Sequence, residues 1–285
     1  MQIRVTLVSP GLIADSLVAL LPSGPTTRDE TPYGTRVSVL TSHDDPALLR
    51  DALRAVAGPV AVGVVAGPLA TTPARLLMMD VDSTLTTTEA VDLLAAHAGV
   101  GDVVAEITER AMRGELDFEA SLRERVATLR GLPVSVLDEV GPAMTLSPGA
   151  RELIAAARSA GAKVGVTSGG FTQLVGPLAD DLGLDFFNAN ELETEIIDGT
   201  ERLTGNVIGT VVDRDQKARD LLRFADAADV DPALTVAVGD GANDLSLFAA
   251  AGLSVAYCAK PVTAAAADVA VGFPRLDAVA AFAGF

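Results

Sequence analysis

Two aspartates, Asp80 and Asp82, follow directly on the apolar segment LLMM. Such a run predicts a buried strand, and a carboxylate is costly to bury unless a partner compensates its charge. Because side chains alternate along an extended chain, both aspartates are expected to point to the same side. The pair therefore indicates a functional site rather than an ordinary strand end.

The same spacing of two acids occurs at the start of a calcium-binding EF-hand loop. Such a loop needs glycine at its sixth position and glutamate at its twelfth. Counted from Asp80, those positions hold Leu85 and Val91. We therefore reject the calcium interpretation.

A second acidic segment, GDGAND, contains Asp240, Asn243 and Asp244. Taken alone, it is almost equally typical of a plain Asp-Gly turn. Combined with Asp80 and the backbone carbonyl of Asp82, Asp240 would complete an oxygen-rich site. Mg²⁺ prefers hard oxygen ligands of this kind and accompanies phosphate groups. We therefore expect a magnesium site formed by Asp80, Asp82 and Asp240.

The residues expected around this site predict phosphoryl transfer. An ionised Asp80 can attack phosphorus to give an aspartyl-phosphate, while Asp82 protonates the leaving oxygen and later deprotonates water. In the segment TSGG, the Ser168 hydroxyl and the amides of Gly169 and Gly170 can bind phosphoryl oxygens, because glycine lets the backbone approach closely. Lys217 can neutralise the transferred group. A single lysine is more typical of a solvated surface, but its place between the two glycine segments favours the catalytic interpretation.

The elements that would position these residues alternate between strands and helices. The strands in KVGVTSGG and LTVAVGDGAND both run into glycine loops. Further strands are predicted in DFFNANELE, EIIDGTERLTGNVIG, TVVD and LSVAYCA, with a hairpin among the first three. Helices are predicted in FTQLVGPLADDLG, QKARDLLRFADAADV and LSLFAAAG. This alternation predicts a parallel α/β sheet whose polar loops gather at the carboxyl edge.

Two other regions depart from this alternation. A charge-rich helical stretch of about residues 88–142 follows the first strand and predicts an inserted cap. Residues 1–70 predict a βαββαβ-type module with one strand unidentified, in the order strand IRVTLVS, helix LIADSLVALL, strand TRVSVLTS, helix DPALLRDALRAVA and strand VAVGVVAG. The segment GPLATTPAR, residues 67–75, is a predicted linker.

The order of DVDST, TSGG, Lys217 and GDGAND resembles the four motifs of the haloacid dehalogenase superfamily. Glu89, ERAMRGELDFEASLRERV, GGF and KP are similar to the phosphoserine phosphatase family, and the similarity covers roughly residues 76–280. The resemblance implies Mg²⁺-dependent hydrolysis of O-phospho-L-serine to L-serine, the last step of serine biosynthesis. It also implies that Asn243 and Asp244 support the phosphate, the lysine and the metal.

The resemblance implies a domain organisation as well. We expect a Rossmann-like α/β phosphatase domain over residues 73–285, with a small helical cap at about 88–145. Residues 1–72 are similar in layout to the α+β ACT-like domains that precede some phosphatases of this kind. This module carries no clear ligand-binding signal, so a packing or dimerisation role is slightly better supported than amino-acid sensing.

Four cap residues acquire roles only through the resemblance. It implies that Glu89 takes the substrate ammonium and Arg125 its carboxylate, and that Met112 and Phe118 line the pocket. A zwitterion needs one partner of each sign, and planar arginine suits a carboxylate. On an isolated helix, however, the same residues are typical of surface charges and ordinary core.

Composition excludes several other classes of protein. The 38 acidic and 21 basic residues give a formal net charge of −17, which argues against binding to nucleic acid or an anionic membrane. We find no secretory leader and no apolar stretch of the roughly 20 residues that a membrane helix needs. We therefore expect a cytoplasmic protein, and we expect a homodimer. Cys258 lies in an apolar run and is predicted to be a small buried residue.

Three alternatives stay open from the sequence. A phosphotransferase of the same superfamily would pass the phosphoryl group to an alcohol instead of water. A related phosphatase would act on another small phosphomonoester. A regulator would sense an amino acid through its N-terminal module and keep a vestigial core, although here every chemical role has a residue to fill it.

Overall fold

The computed structural model describes the backbone of residues 1–285 and every side chain except that of Met112. The strands are β1 (Gln2–Ser9), β2 (Thr26–Thr31), β3 (Gly34–Ser42), β4 (Ala61–Ala66), β5 (Leu76–Met79), β6 (Lys163–Phe171), β7 (Phe186–Ile197), β8 (Thr200–Ile208), β9 (Thr235–Gly239), β10 (Leu253–Tyr257) and β11 (Val269–Val271). The helices are α1 (Asp15–Val18), α2 (Pro46–Ala57), α3 (Ala90–His97), α4 (Gly101–Met112), α5 (Phe118–Ala127), α6 (Val136–Val140), α7 (Ala150–Ser159), α8 (Thr172–Leu182), α9 (Arg214–Ala227), α10 (Leu245–Ala250), α11 (Pro261–Ala266) and α12 (Val279–Ala283). Within the described residues, no helix combines the length and apolar character needed to cross a membrane.

The first 66 residues form a four-stranded antiparallel sheet in the order β2-β3-β1-β4. Alternate residues of its strands, including Ile3, Val5 and Val37, pack with Leu53 of α2 in a separate hydrophobic core. The strand that sequence analysis did not identify is β2, an edge strand with the polar sequence TTRDET and little burial. The predicted helix at residues 12–21 is limited to the single turn of α1.

The second sheet has seven strands in the order β11-β10-β9-β5-β6-β7-β8. All of its pairings are parallel except that of β8, which runs antiparallel to β7. The turn of this predicted hairpin lies at Asp198 and Gly199, both with positive φ, as an Asp-Gly hairpin turn requires. The α/β architecture with a parallel sheet is therefore confirmed.

Two local predictions are wrong. The segment TVVD is not a strand, because Val212 donates its N–H to Oδ1 of Asn190 at 2.8 Å and Asp213 caps α9 by accepting from the N–H of Gln216. Cys258 is exposed rather than buried. It follows the last residue of β10 with a φ of 45°, so the side chain leaves the apolar alternation of that strand.

The helical stretch after β5 consists of four short helices, α3 to α6, rather than one long element. Gly99 and Gly114 adopt positive φ just after α3 and α4, a conformation that favours glycine and ends a helix. The resulting turns fold the chain back on itself. The four helices form a compact layer. In the sequence they are inserted between β5 and β6, within the residues predicted to form the cap.

The two sheets meet through buried contacts. From β1, the Arg4 guanidinium donates to the carbonyl oxygens of Leu69 at 3.0 Å, Ala281 at 2.9 Å and Phe282 at 2.9 Å. On β4, Gly63 lies so close to the Phe282 ring that a Cβ atom would collide with it. Residues near both ends of the numbered chain therefore hold the two sheets together.

The predicted linker, residues 67–75, is a packed connection. Its first turn, Gly67–Ala70, buries Leu69 and Ala70. Further along, the N–H of Ala74 donates to the carbonyl oxygen of Ala283 at 2.9 Å. Little of this segment is thus free to act as a flexible tether.

Candidate active site

Asp82 lies in a tight turn, Val81–Leu85, and Asp80 directly precedes that turn at the end of β5. Asp80 is 3% exposed, and its Oδ1 accepts from the N–H of Val81 at 2.7 Å. Ser83 adopts a left-handed φ of 57°, which reverses the chain so sharply that Asp82 can accept from the N–H of Ala90 at 3.0 Å. The turn therefore holds both carboxylates in fixed positions.

Lys217 lies fully buried between two of the acids. Its Nζ is 2.6 Å from Oδ2 of Asp80 and 2.7 Å from Oδ1 of Asp244. Burial alone would lower the pKa of Lys217, but the charges of Asp244 and Asp80 outweigh it and raise the pKa above the usual lysine value. The lysine is therefore a fixed positive charge, and the alternative of a solvated surface lysine is wrong.

The loop after β9 is folded around Asp244. Its Oδ2 accepts from the N–H groups of Asp240 and Gly241, each at 3.1 Å. Asn243 donates to Oδ2 of Asp80 at 3.3 Å, and Thr84 donates to Oδ1 of Asp240 at 3.3 Å. These bonds join the loop to the turn that follows β5.

Three of these acids could hold a metal ion. Asp80, Asp240 and Asp244 each offer a carboxylate oxygen, and these oxygens lie within 4.8 Å of one another. Burial, then the charge of Asp244, raises the pKa of Asp80 well above its usual value and that of Asp240 to about 6. After burial, the remaining part of each pKa shift reflects negative charge that Lys217 does not fully balance. An added cation would relieve this excess, so the donor set fits a hard divalent ion.

The division of labour among the three acids follows from their hydrogen bonds. Both oxygens of Asp244 are occupied, one by Lys217 and the other by two backbone N–H groups. Asp240 accepts only the long bond from Thr84 among the described side chains. Asp240 is therefore the acid with the most bonding capacity left for a metal, whereas Asp244 supports the lysine. Asp80 also has both oxygens occupied, one by the N–H of Val81 and the other by Lys217 and Asn243.

The segment TSGG ends β6 beside Asp82. Ser168 is fully buried, and its Oγ accepts from the N–H of Gly170 at 2.9 Å. A Cβ atom at Gly170 would lie 3.0 Å from that hydroxyl and 3.3 Å from Oδ2 of Asp82. At Gly169, a Cβ atom would lie 3.1 Å from the Phe118 ring. The N–H of Gly170, predicted to bind phosphoryl oxygens, is therefore committed to Ser168. Glycine at both positions avoids close contacts where the core and the cap meet.

One cavity of about 650 Å³ is lined by residues from the turn after β5, from the segment TSGG and from the loop after β9. Ser168, Lys217 and Asp244 lie buried behind this lining. The floor of the cavity includes Asp80, Asp82 and Asp240, and its cap side includes Glu89 and Arg125. Further lining residues are Val91, Thr108, Ala111, Leu116, Phe118, Ser121, Leu122, Gly169, Gly170, Gly241, Ala242, Asn243, Lys260, Val262 and Thr263. The predicted convergence of three strand ends on one edge is thus present in the structure.

The cap side of the cavity carries two opposite charges. Glu89 precedes α3, and one of its carboxylate oxygens accepts from the Ser83 hydroxyl at 3.0 Å. Arg125 lies on α5 and donates one long bond, 3.4 Å, to the carbonyl of Ser121. Among the described residues it forms no ion pair within 4.0 Å. Met112 ends α4, but its side chain lies outside the described residues and its predicted role stays a prediction.

Asp82 lies on the floor of the cavity, close enough to Glu89 to be influenced by its charge. Burial and the nearby charge of Glu89 raise its pKa to about 7. A carboxyl group with such a pKa can both give and take a proton near neutral pH. The arrangement therefore suits general acid/base chemistry at Asp82 and nucleophilic chemistry at the more deeply held Asp80.

Sequence analysis missed one residue that bonds to the acidic cluster and two that line the cavity. Thr84 lies within the DVDST motif itself but was given no role. Ser121 and Leu122 lie three and four residues after Phe118, on the helical face that Phe118 and Arg125 share. That spacing was available in the sequence as a signal.

Comparison with known proteins places this site in context. The model of haloacid dehalogenase-like hydrolases matches residues 77–249. A phosphoserine phosphatase of Streptomyces coelicolor is 54% identical over 247 residues, which are 86% of this chain and 59% of that relative. The chain therefore spans less than two thirds of that relative's length.

Solved structures are similar as well. The unliganded form of a probable phosphoserine phosphatase from Vibrio cholerae superimposes with a TM-score of 0.77 at 35% identity, over 99% of this chain and 86% of that one. A phospho-aspartyl intermediate analogue of a phosphoserine phosphatase superimposes with a TM-score of 0.66 at 40% identity, over 73% of this chain and 98% of that one.

Proposed function

The chain belongs to the haloacid dehalogenase-like hydrolases, and from this premise we propose that it hydrolyses O-phospho-L-serine to L-serine and phosphate. One observation carries the proposal. A single cavity holds Asp80 and Asp82 at one end and the opposite charges of Glu89 and Arg125 at the other. The similarity to phosphoserine phosphatases supports the same substrate.

The first step forms an aspartyl-phosphate. An oxygen of Asp80 attacks phosphorus, and the bond between phosphorus and the serine oxygen breaks. Asp82 donates its proton to that leaving oxygen, so L-serine departs as a neutral alcohol. The Lys217 ammonium, 2.6 Å from Asp80, offsets the negative charge that gathers on the transferred group.

The second step returns the enzyme to its starting state. Asp82, now ionised, takes a proton from a water molecule whose oxygen attacks phosphorus. The bond between phosphorus and Asp80 breaks, which releases phosphate and the free Asp80 carboxylate. One residue thus serves as acid and then as base.

We propose that Asp80, the carbonyl of Asp82 and Asp240 hold Mg²⁺. When bound, the ion supplies the positive charge that the three clustered carboxylates and the phosphate lack. Asn243 and Asp244 hold this arrangement by their bonds to Asp80 and Lys217.

We propose separate binding groups for the two ends of the substrate. Ser168, Gly169 and Lys217 take the phosphoryl oxygens. Glu89 takes the ammonium and Arg125 takes the carboxylate, which its planar fork can accept in two parallel bonds. Phe118, packed against Gly169, closes one wall of the pocket, and Met112 is assigned to the same wall by the family resemblance alone.

We propose that residues 1–72 form an ACT-like domain and residues 73–285 the phosphatase domain, with the cap at about 88–145. The element order β1-α1-β2-β3-α2-β4 and the antiparallel sheet support the first assignment. The homodimer and the cytoplasmic location stay predictions, and light scattering of the purified protein tests the first of them.

A phosphate-release panel tests the function. Phosphoserine, phosphothreonine and sugar phosphates are compared with and without Mg²⁺. We expect the highest kcat/KM for phosphoserine and no turnover after chelation of the metal. Equal kcat/KM values across the panel would count against the amino-acid substrate, and phosphate release only after addition of a second alcohol would identify a phosphotransferase instead.

A further inference from the structure

A buried carboxylate outside the cavity has no part in the steps above. Asp220 lies on α9 and is fully buried. Its Oδ2 accepts from the Thr167 hydroxyl at 2.7 Å and from Nδ2 of Asn188 at 2.8 Å. Its Oδ1 accepts from Nε2 of Gln216 at 2.9 Å and lies 3.3 Å from Nη2 of Arg223. All four partners are donors, which only a carboxylate can satisfy together.

Two of these partners lie where the sheet becomes irregular. Thr167 on β6 pairs with Asn188 on β7, and this is the last regular pair before the register shifts. Pairing resumes at Phe171 with Asn190. Residues 168–170 lie in this interval, so the phosphate-binding segment lacks regular sheet pairing. Asp220 accepts hydrogen bonds from Thr167 and Asn188, the pair that precedes this segment.

The other two partners fix the helix. Gln216 immediately precedes Lys217, and Asp220 follows Lys217 by about one turn of α9. Arg223 is held from a second side, because its guanidinium lies 4.7 Å from the centre of the Phe224 ring. Bonds that converge on the Asp220 carboxylate therefore fix how α9 is rotated about its axis and where it lies along β6.

We propose that Asp220 is a positioning residue that sets the distance between the Ser168–Gly169 segment and Lys217. This inference rests on the proposed function, since it assigns both parts to the same phosphoryl group. The two parts lie on different elements, β6 and α9, and Asp220 joins these elements next to the site. A buried network of this kind is rigid only when every member is satisfied, because an unpaired donor there is costly. Loss of the carboxylate should thus loosen the phosphate end of the cavity and leave the cap end unchanged.

The test separates the two ends of the cavity. Asp220→Leu replaces the carboxylate with an apolar side chain of similar size, so Thr167 and Asn188 lose their acceptor. We expect inorganic phosphate to inhibit this variant roughly tenfold more weakly than the wild type, as the loss of a buried hydrogen-bond partner predicts. Inhibition by L-serine, which reports the cap end, should change less than about twofold. Asp220→Asn keeps one acceptor and should give a smaller loss in the same direction.

A matched control uses the opposite end of the same strands. Asp185 also joins β6 to the start of β7, by accepting from Nζ of Lys163 at 2.7 Å and from the N–H of Val164 at 2.9 Å. Asp185→Leu should lower stability towards urea and leave both inhibition constants unchanged. If Asp220→Leu does not fold, as judged by circular dichroism, Asp220→Asn carries the comparison.

Two outcomes would overturn the inference. One is unchanged phosphate inhibition in a folded Asp220 variant. The other is an equal weakening of phosphate and L-serine, which indicates general loosening rather than positioning. Failure of the proposed function gives a different result, since the wild type would then not hydrolyse phosphoserine. In that case, titration calorimetry with inorganic phosphate and Mg²⁺ still compares Asp220→Leu with the wild type, and equal binding would refute the positioning role.

Discussion

The two ends of the cavity differ in how their polar groups are partnered. At the core end, Lys217 touches two carboxylates, and Asp244 has both oxygens occupied. At the cap end, Glu89 accepts a hydroxyl group, and Arg125 donates only a long bond to a carbonyl. Asp80, Lys217 and Asp244 are buried, whereas Glu89 and Arg125 are partly exposed.

This difference separates chemistry from recognition. Groups that must stabilise a transition state work best when they are already in place, because no reorganisation is then needed during the reaction. Groups that select a substrate work best when their hydrogen-bond donors and acceptors are free to bind that substrate. The core end therefore depends on the fold, and the cap end is completed by the ligand.

Substitution of the core nucleophile should give the largest effect on turnover. Asp80→Asn removes the attacking oxygen's charge, so we expect kcat for phosphoserine to fall by about 10⁴-fold or more. Steady-state phosphate release measures this loss. Asp92→Asn, on the exposed side of α3, is the control and should retain full activity. Normal turnover by Asp80→Asn would show that the core end does not supply the nucleophile.

Substitution of the core lysine should change stability as well as rate. Lys217→Met leaves Asp80 and Asp244 as buried charges without their partner, and removal of one member of a buried ion pair costs about 3–5 kcal/mol. Urea denaturation in the presence of a chelator measures this loss. Lys163→Met is the control, because Lys163 forms an exposed pair with Asp185, and such pairs contribute about 0–1 kcal/mol. An equal loss in both variants would remove the distinction between the two ends.

Substitution at the cap end should affect only the substrate that carries a carboxylate. For Arg125→Ala, we expect kcat/KM for phosphoserine to fall about 10- to 150-fold. This range corresponds to the roughly 1.5–3 kcal/mol that a hydrogen bond to a charged group contributes. Phosphoethanolamine, which has the ammonium but no carboxylate, should be hydrolysed almost as well as by the wild type. An equal loss with both substrates would contradict recognition of the carboxylate by Arg125.

The neighbouring Arg123 provides the matched control for this comparison. It lies on the same helix, and its guanidinium pairs with Glu119 at 2.7 Å on an exposed surface. Arg123→Ala removes the same positive charge from the helix without touching the cavity. We expect less than about a twofold change in kcat/KM with either substrate, because exposed pairs contribute little.

Much of the fold was predictable because its signals are local. The apolar run before Asp80 and the glycine loops after β6 and β9 identify strand ends, and parallel strands bring such ends to one edge. The convergence of Asp80, Asp82 and Asp240 therefore followed from the sequence. The polar sequence of β2 gives no alternation, which is why that edge strand was not identified.

The features that were missed depend on distant partners. In KARDLLRF, Asp220 is indistinguishable from a surface charge of an amphipathic helix until β6 and β7 supply its donors. Cys258 follows a strand with apolar alternation, and only the positive φ of its own backbone reverses its direction. A local sequence pattern carries little information about the backbone conformation of a single residue, or about contacts between residues that are distant in the sequence.

The contact of Arg4 with the carbonyl oxygens of Ala281 and Phe282 has a consequence for synthesis on the ribosome. Arg4 leaves the exit tunnel early, whereas two of its three acceptors are made some 277 residues later. The first sheet can pair its strands long before then, but its buried arginine must stay hydrated until that segment arrives. At translation rates of about 5–20 residues per second, this wait lasts roughly 15–60 seconds. The Arg4 contacts that join the first sheet to the second can therefore form only after Ala281 and Phe282 have been synthesised.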